Sequence, residues 1–151
     1  MYPKHFFERF WEAEQKNQLF VGISFDESIN NNFDIIDNAV KSLGFEKAFR
    51  VGLETEANSI NDRIFDAIAN SKMLLFDLSD DKRTNQINHN VIYELGIANA
   101  IREPFDIVLI RRKTESELKL PFDIQGLHIN LFDDNITNSC FLNLNICRNN
   151  Y

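Results

Sequence analysis

The hydrophobic and polar positions of this chain alternate between short apolar runs and longer stretches in which apolar residues recur at helical spacing. Five apolar runs have the length of β-strands, and the first of them is typical of a strand buried on both faces. The runs lie at 19–25, 45–53, 73–78, 105–110 and 127–132. Because they alternate with helical segments, they predict βαβ units with right-handed crossovers and a parallel sheet covered on both faces.

Three segments between these runs have the periodicity of amphipathic helices. The first ends at Gly44, in the position where glycine often follows a helix. The second is capped by Ser59 and carries an isoleucine at every fourth residue, and the third covers residues 88–101. We therefore expect the α/β class and a flavodoxin-like three-layer αβα sandwich with a five-stranded parallel sheet.

The two ends of the chain give weaker patterns than its centre. Residues 1–18 contain the spacing of an amphipathic N-terminal helix, and residues 19–134 read as one domain without a linker or an internal repeat. The Asn-rich tail at 135–151 alternates like an edge strand, although a final helix would complete the fold better. Its structure stays open at this point.

Composition narrows the class of protein and of partner. The chain has 151 residues, of which 44% are hydrophobic and 26% charged, as in an ordinary soluble domain. The formal net charge of -7 argues against nonspecific binding to nucleic acid or to an anionic membrane. We expect a small-molecule or protein partner. The absence of a signal peptide or membrane-spanning run and of a cysteine pattern for zinc predicts a cytoplasmic protein without a structural metal.

The helix at 88–101 carries a carboxylate where its apolar face predicts a hydrocarbon. At about 100° per residue, with Val91 at zero, Leu95 lies near 40°, Ala98 near 340° and Ile101 near 280°. Glu94 lies near 300° on the same scale, inside the apolar arc. The sequence therefore predicts that Glu94 faces the protein rather than the solvent.

Nothing three or four residues from Glu94 could form an ion pair with it. Those positions hold Asn90, Val91, Ile97 and Ala98. Burying an unpaired carboxylate costs several kcal/mol by rough rule or raises its pKa. Such groups are concentrated at functional sites, where they serve as nucleophiles or as general acids and bases. We interpret Glu94 as a functional residue.

Other candidate residues follow from where ligands bind in an open parallel sheet, beyond the carboxyl ends of the strands. Asp77 ends the third predicted strand, although a loop hydrogen bond would also explain an aspartate there. Either Asn88 or Asn90 could simply cap the helix. The candidate substrate-binding residues at this edge are Ser24, Phe25, Asp26, Ser79, Asn88, Asn90 and Tyr93.

Several common chemistries lack their motifs. No GxGxxG or GxxxxGK[ST] pattern is present, which argues against a Rossmann dinucleotide site and a P-loop. No GxSxG motif supports a serine nucleophile, and the three histidines are scattered. A phosphoacceptor receiver domain shares the expected fold. The fifth predicted strand of this chain, however, is not followed by the lysine that such a domain requires. Carboxylate chemistry remains.

The segment Asn88-x-Asn90-Val91-x-Tyr93-Glu94-Leu95-Gly96, preceded by Phe76-Asp77-Leu78-Ser79, resembles a motif of TIR-like nucleotide-binding proteins and of the related nucleoside 2-deoxyribosyltransferases. The resemblance extends to the first strand at 20–25, the second helix at 59–68 and the segment at 121–127. It thus covers residues 19 to about 134.

The resemblance implies N-glycosidic bond cleavage or transfer on a nucleotide, a nucleoside or NAD, the last as a substrate and with no cofactor or metal. Glu94 matches the catalytic glutamate of the family, and Asp77 its acidic residue beside the sugar or base. Ser24, Phe25 and Asp26 would line the nucleotide pocket. A homo-oligomer or a protein partner and a role in bacterial antiphage defence are also implied. The alternative is a non-catalytic module of this fold that senses a nucleotide or scaffolds an assembly.

Overall fold

The computed structural model describes residues 14–25, 27–52, 57–113, 120 and 126–133. Its strands and helices are β1 (Lys16–Gly22), α1 (Glu27–Ser42), β2 (Lys47–Phe49), α2 (Ala57–Asn70), β3 (Ser71–Asp77), β4 (Asp80–Asp81), β5 (Gln86–Ile87), α3 (His89–Ile101), β6 (Ile107–Arg112) and β7 (Ile129–Phe132). None of the helices in these ranges combines the length and the hydrophobicity that a transmembrane span requires.

Five parallel strands form the central sheet in the order β2-β1-β3-β6-β7. Counting only these five along the chain, the order is 2-1-3-4-5, as in flavodoxin. The register places Phe20 beside Phe49, Gly22 beside Phe76 and Asp77 beside Ile110. The predicted flavodoxin-like fold with a five-stranded parallel sheet is therefore confirmed, and the strand order reverses between β1 and β3.

The two faces of the sheet bury two separate hydrophobic clusters. Val21 and Leu75 pack with α1 on one face, whereas Phe20, Leu74 and Phe76 pack with α2 and α3 on the other. Neighbouring residues of a strand point to opposite faces, so each central strand supplies both clusters. This is why β1 and β3 read as continuous apolar runs.

Helix α3 has the orientation that its periodicity predicts. Its buried residues are Val91, Leu95, Ala98 and Ile101, the four that define the apolar arc. Asn88 is the N-cap, and its Oδ1 accepts a hydrogen bond from the backbone N–H of Asn90 at 2.9 Å. The helix begins at the carboxyl edge of the sheet, where the candidate residues were expected.

Arg102, directly after α3, fixes the other end of that helix. Its buried guanidinium donates hydrogen bonds to the backbone carbonyls of Ile68 at 2.8 Å and Ser71 at 2.6 Å. It also pairs with Asp106, with 2.8 Å between Nη2 and Oδ2. Through these contacts one side chain joins the ends of α2 and α3 to the start of β3.

The structure differs from the sequence-based predictions in three local segments. Residues 16–18 belong to β1 and not to the predicted N-terminal helix, whose residues 1–13 lie outside the described part of the chain, as does the tail at 135–151. The expected second strand at 45–53 shortens to the three residues of β2. The segment 79–87, to which the sequence patterns assign neither a helix nor a strand, contains the β4–β5 hairpin, which is held to the sheet by a buried ion pair between Asp80 and Arg111.

Candidate active site

The carboxylate of Glu94 lies against the last residue of β1. A Cβ atom built on Gly22 would stand 2.9 Å from Glu94 Oε2 and would also collide with the ring of Phe76. Only a residue without a side chain leaves room for the carboxylate at this place. Glu94 therefore reaches the carboxyl edge of the sheet at the point where the strand order reverses.

Burial raises the pKa of the Glu94 carboxyl from its ordinary value of 4.5 to about 7. Burial is the one cause of this shift, because no cation or hydrogen-bond donor of the described residues offsets it. The sequence-based prediction that Glu94 faces the protein is confirmed. Near pH 7 both protonation states of this group are populated, which suits a nucleophile or an acid/base residue.

Asp77 is a second buried carboxyl group, at the end of β3. Its Oδ1 accepts a hydrogen bond from the backbone N–H of Ser79 at 2.9 Å, and its Oδ2 has no hydrogen-bond partner among the described residues. Burial raises the pKa of Asp77, outweighing the hydrogen bonds from Ser79 and the charge of Arg112, which lower it. Asp77 follows Phe76 in the strand and so points to the face opposite Glu94. The structure does not bring the two carboxyl groups into contact.

Ser24 and Asn88 connect the segment after β1 to the start of α3. Asn88 Nδ2 donates a hydrogen bond to Ser24 Oγ at 3.2 Å, while the other end of the same amide caps the helix. The capping interpretation of Asn88 is thus confirmed. Its second hydrogen bond places Ser24, a predicted substrate-binding residue, beside the helix that carries Glu94.

The remaining predicted site residues have different surroundings. Tyr93 and Asn90 are exposed near the start of α3, and Asp26 lies outside the described residues. Ser79 is buried, and its Oγ accepts a hydrogen bond from the backbone N–H of Arg112 at 2.8 Å. Its hydroxyl therefore links the ends of β3 and β6. The substrate-binding role of these four residues stays a prediction.

Phe25, three residues beyond Gly22, contacts a residue that the sequence analysis did not single out. The guanidinium carbon of Arg50 lies 5.0 Å from the ring centroid of Phe25 and 4.5 Å from that of Phe33 on α1. Arg50 directly follows β2, at the same edge of the sheet. The available signal was a single arginine inside the apolar run at 45–53.

Two further observations concern a cavity away from Glu94 and the grouping of metal-ligating side chains. A cavity of about 610 Å³ opens at the amino edge of the sheet, between the first residues of β1 and β2 and helix α2, and includes none of the predicted site residues. Within the described ranges, no three His, Cys, Asp or Glu side chains are grouped as metal ligands would be.

Two solved structures share this fold. The chain is similar to the CMP N-glycosidase BcmB of Clostridium botulinum, with a TM-score of 0.57 and 15% sequence identity over 85% of this chain and 98% of that one. It is also similar to the 2-desoxiribosyltransferase of Leishmania mexicana, with a TM-score of 0.56 and 16% identity over 89% of this chain and 99% of that one. No protein-family model matches the sequence, and no curated protein matches it either.

These similarities define the class of the fold. The chain has the fold of the nucleoside deoxyribosyltransferase-like proteins, with the strand order and the three helices described above. The deoxyribosyltransferase half of the sequence resemblance is supported by both structures. The TIR-like half stays a prediction.

Proposed function

We propose that the protein cleaves or transfers the N-glycosidic bond of a nucleoside or nucleotide, with Glu94 as the catalytic carboxylate. The observation that carries this proposal is the buried carboxylate of Glu94, unpaired by any cation of the described residues and placed against Gly22 at the carboxyl edge of the sheet. Nucleoside chemistry in two proteins of this fold supports the choice of substrate class.

The reaction proceeds in two displacements at the anomeric carbon. In the first, a carboxylate oxygen of Glu94 attacks that carbon, and the bond to the base breaks with its electron pair on the base nitrogen, which takes up a proton. In the second, water or an acceptor base attacks the same carbon and displaces Glu94 as a carboxylate. A carboxylate is suited to both steps because the sugar carries oxocarbenium character between them.

Asp77 is assigned the proton for the departing base. Asp77 and Glu94 are the two described carboxyl groups whose pKa is raised, so Asp77 keeps a proton at a higher pH than an ordinary aspartate. After protonating the base, the ionised Asp77 takes a proton from the incoming water, which returns the site to its starting state. Because Asp77 lies on the face of the sheet opposite Glu94, the base must extend past the end of β3 to reach it.

Product analysis tests the proposal. Concentrated protein is incubated with ribonucleosides, deoxynucleosides, their monophosphates and NAD, and released bases are separated by chromatography. We expect one class of substrate to release free base with the wild type and none with Glu94→Gln, which keeps the shape of the side chain. Equal release by both proteins would overturn the role of Glu94. Exchange with an added base would identify a transferase.

The alternative is a module that binds a nucleotide without turnover, or that scaffolds an assembly. Such a module would have the same fold and the same buried Glu94 carboxyl group, and it would form no product. Calorimetric binding by both wild type and Glu94→Gln, with no base released from any substrate, would favour this alternative.

NAD as substrate and antiphage defence are finer proposals that rest on the TIR-like resemblance alone. Completion of the site by a second copy or a protein partner rests on the same resemblance. If NAD is a substrate, we expect the protein to release nicotinamide from it. If a second copy completes the site, this release should increase at protein concentrations that promote self-association. Protection of bacteria from phage that depends on Glu94 is the expected result for the second.

A further inference from the structure

The ring of Phe76 borders the same space as the carboxyl group of Glu94. A Cβ atom built on Gly22 would stand 2.8 Å from Phe76 Cε1 and 2.9 Å from Glu94 Oε2. The ring edge and the carboxylate oxygen therefore lie together over the last residue of β1. The glycine leaves this space open, and the phenylalanine and the glutamate fill it.

The position of the Phe76 ring is fixed by the core. Phe76 is fully buried and lies beside Gly22 in the sheet register, on the face that α2 and α3 cover. Phe20 packs against it, with 5.9 Å between the ring centroids and 58° between the ring planes, within the range that aromatic pairs favour. Side chains packed in this way occupy defined rotamers. The ring therefore presents a fixed apolar surface to the carboxyl group.

Charged groups on the surrounding elements do not account for the state of Glu94. Burial alone raises the pKa of this carboxyl group from 4.5 to about 7, so the cause is the apolar atoms that keep water away from it. The titratable side chains on β1, α2, β3 and α3, none of which contributes to that shift, are Lys16, Asp62, Arg63, Asp66, Lys72, Asp77, His89 and Tyr93.

We propose that Phe76 is a positioning residue for Glu94: its ring excludes water from the side of the carboxyl group that faces the sheet, and so controls the pH at which the carboxylate becomes available to the substrate. The inference rests on the proposed function for the role of Glu94 in the reaction. A smaller side chain at residue 76 should admit water beside Oε2, because a carboxylate oxygen is a polar partner of the kind that a buried water needs. A hydrated carboxyl group loses its proton at a lower pH.

Titration of Glu94 tests this inference without any substrate. Phe76→Leu keeps the Cγ and Cδ positions and removes the outer ring carbons, Cε1 among them. Carbon-13 NMR of the glutamate carboxyl groups follows the titration, and the signal that is missing in Glu94→Gln identifies Glu94. We expect the midpoint in Phe76→Leu to be lower than in the wild type by about one pH unit. Phe76→Ala, which removes the whole ring, should lower it further; if that variant does not fold, Phe76→Leu decides.

Phe45→Leu is the matched control. It deletes the same atoms from a buried phenylalanine, but Phe45 belongs to the hydrophobic cluster on the opposite face of the sheet. Urea denaturation should show a loss of stability in both leucine variants, whereas the titration of Glu94 should change only in Phe76→Leu. The control thus separates the exclusion of water at Glu94 from a general loosening of the core.

The outcomes distinguish this inference from the proposed function. An unchanged midpoint in Phe76→Leu, or an equal shift in Phe45→Leu, would overturn the role of Phe76. If the protein releases base, the acidic limb of kcat/KM should move in Phe76→Leu by as much as the NMR midpoint does. Base release with an unmoved midpoint would leave the proposed function standing without the role of Phe76. A lowered midpoint in a protein that releases no base from any substrate would support the exclusion of water by Phe76 and overturn only the proposed function.

Discussion

Gly22 and Glu94 lie 72 positions apart in the sequence, and the absence of a side chain on the first makes room for the carboxylate of the second. A Cβ atom at residue 22 would stand 2.9 Å from Glu94 Oε2. A glycine is therefore required at this position for the space it leaves and not for an unusual backbone conformation. It sets how far the end of the Glu94 side chain reaches over the edge of the sheet.

Gly22→Ala should therefore displace Glu94 and Phe76 together. We expect a loss of about 1–3 kcal/mol in the free energy of unfolding from overpacking. Base release should fall more steeply, by roughly 100-fold, because a small displacement of a reacting group is costly. Urea denaturation and chromatography of released base measure the two effects.

Gly96→Ala is the matched control on the helix of Glu94. An added Cβ at Gly96 meets no atom within 4 Å, so activity should be kept and the helix stabilised by roughly 1 kcal/mol. If Gly22→Ala were as active as Gly96→Ala, the position of the carboxylate would not matter for the reaction.

Glu94→Gln should make the protein more stable above about pH 5. The folded pKa of about 7 exceeds the ordinary value of 4.5, so the folded state retains a proton that the unfolded state loses. The stability that this proton confers is fully present below 4.5 and is lost as pH rises through about 7. The complete loss is on the order of 3 kcal/mol.

Denaturant unfolding of both proteins between pH 4 and 9 measures this difference. The stability advantage of Glu94→Gln should grow from about pH 4.5 and level off above about pH 7. Parallel stability curves across that range would show that the carboxyl group is not desolvated in the folded protein.

The rate of base release should fall as pH decreases below about 7. Protonation of Glu94 removes the nucleophile, and kcat/KM of the free enzyme reports its pKa of about 7. We expect a drop of about tenfold per pH unit on the acidic side. Asp77→Asn should remove the decline on the alkaline side, since that decline reflects loss of the Asp77 proton. An acidic limb unchanged by Gly22→Ala would argue against Glu94 as its source.

Asn88→Ala should affect both the helix and the site. The N-cap hydrogen bond to Asn90 and the contact with Ser24 are lost together, at a cost of about 1 kcal/mol for the cap. Asn88→Asp keeps the capping oxygen and removes the amide that donates to Ser24. Similar stability but lower base release in Asn88→Asp would assign a positioning role to the Ser24 contact, while wild-type activity would limit Asn88 to capping.

Sequence patterns predict this fold because the central strands are buried on both faces. Continuous apolar runs such as 73–78 lie within 1 or 2 residues of the observed strand, and the helix at 88–101 buries the residues that its periodicity selects. β2 was predicted too long, because only three of its residues pair with β1. Short edge pairing leaves little periodicity in a sequence.

The site was predictable as far as single elements reveal it. The place of Glu94 on an apolar helix face is a local property, and the structure confirms it. The contact of Glu94 with Gly22 and the stacking of Arg50 on Phe25 each join distant segments. Neither follows from spacing, since a glycine and an arginine inside apolar runs have many structural explanations.

Arg102 gives the helix of Glu94 a fixed axial position. Asn88 attaches the first turn to Ser24, and Arg102 attaches the last turn to carbonyl groups at the opposite edge of the sheet. Glu94 lies between these two anchors, eight residues or about 12 Å from Arg102. The position of the Glu94 carboxyl group is therefore set partly at a distance, by a side chain at the opposite edge of the sheet. If activity depends on where Glu94 lies, selection for activity would also act on Arg102, although its own contacts are hydrogen bonds to backbone carbonyls.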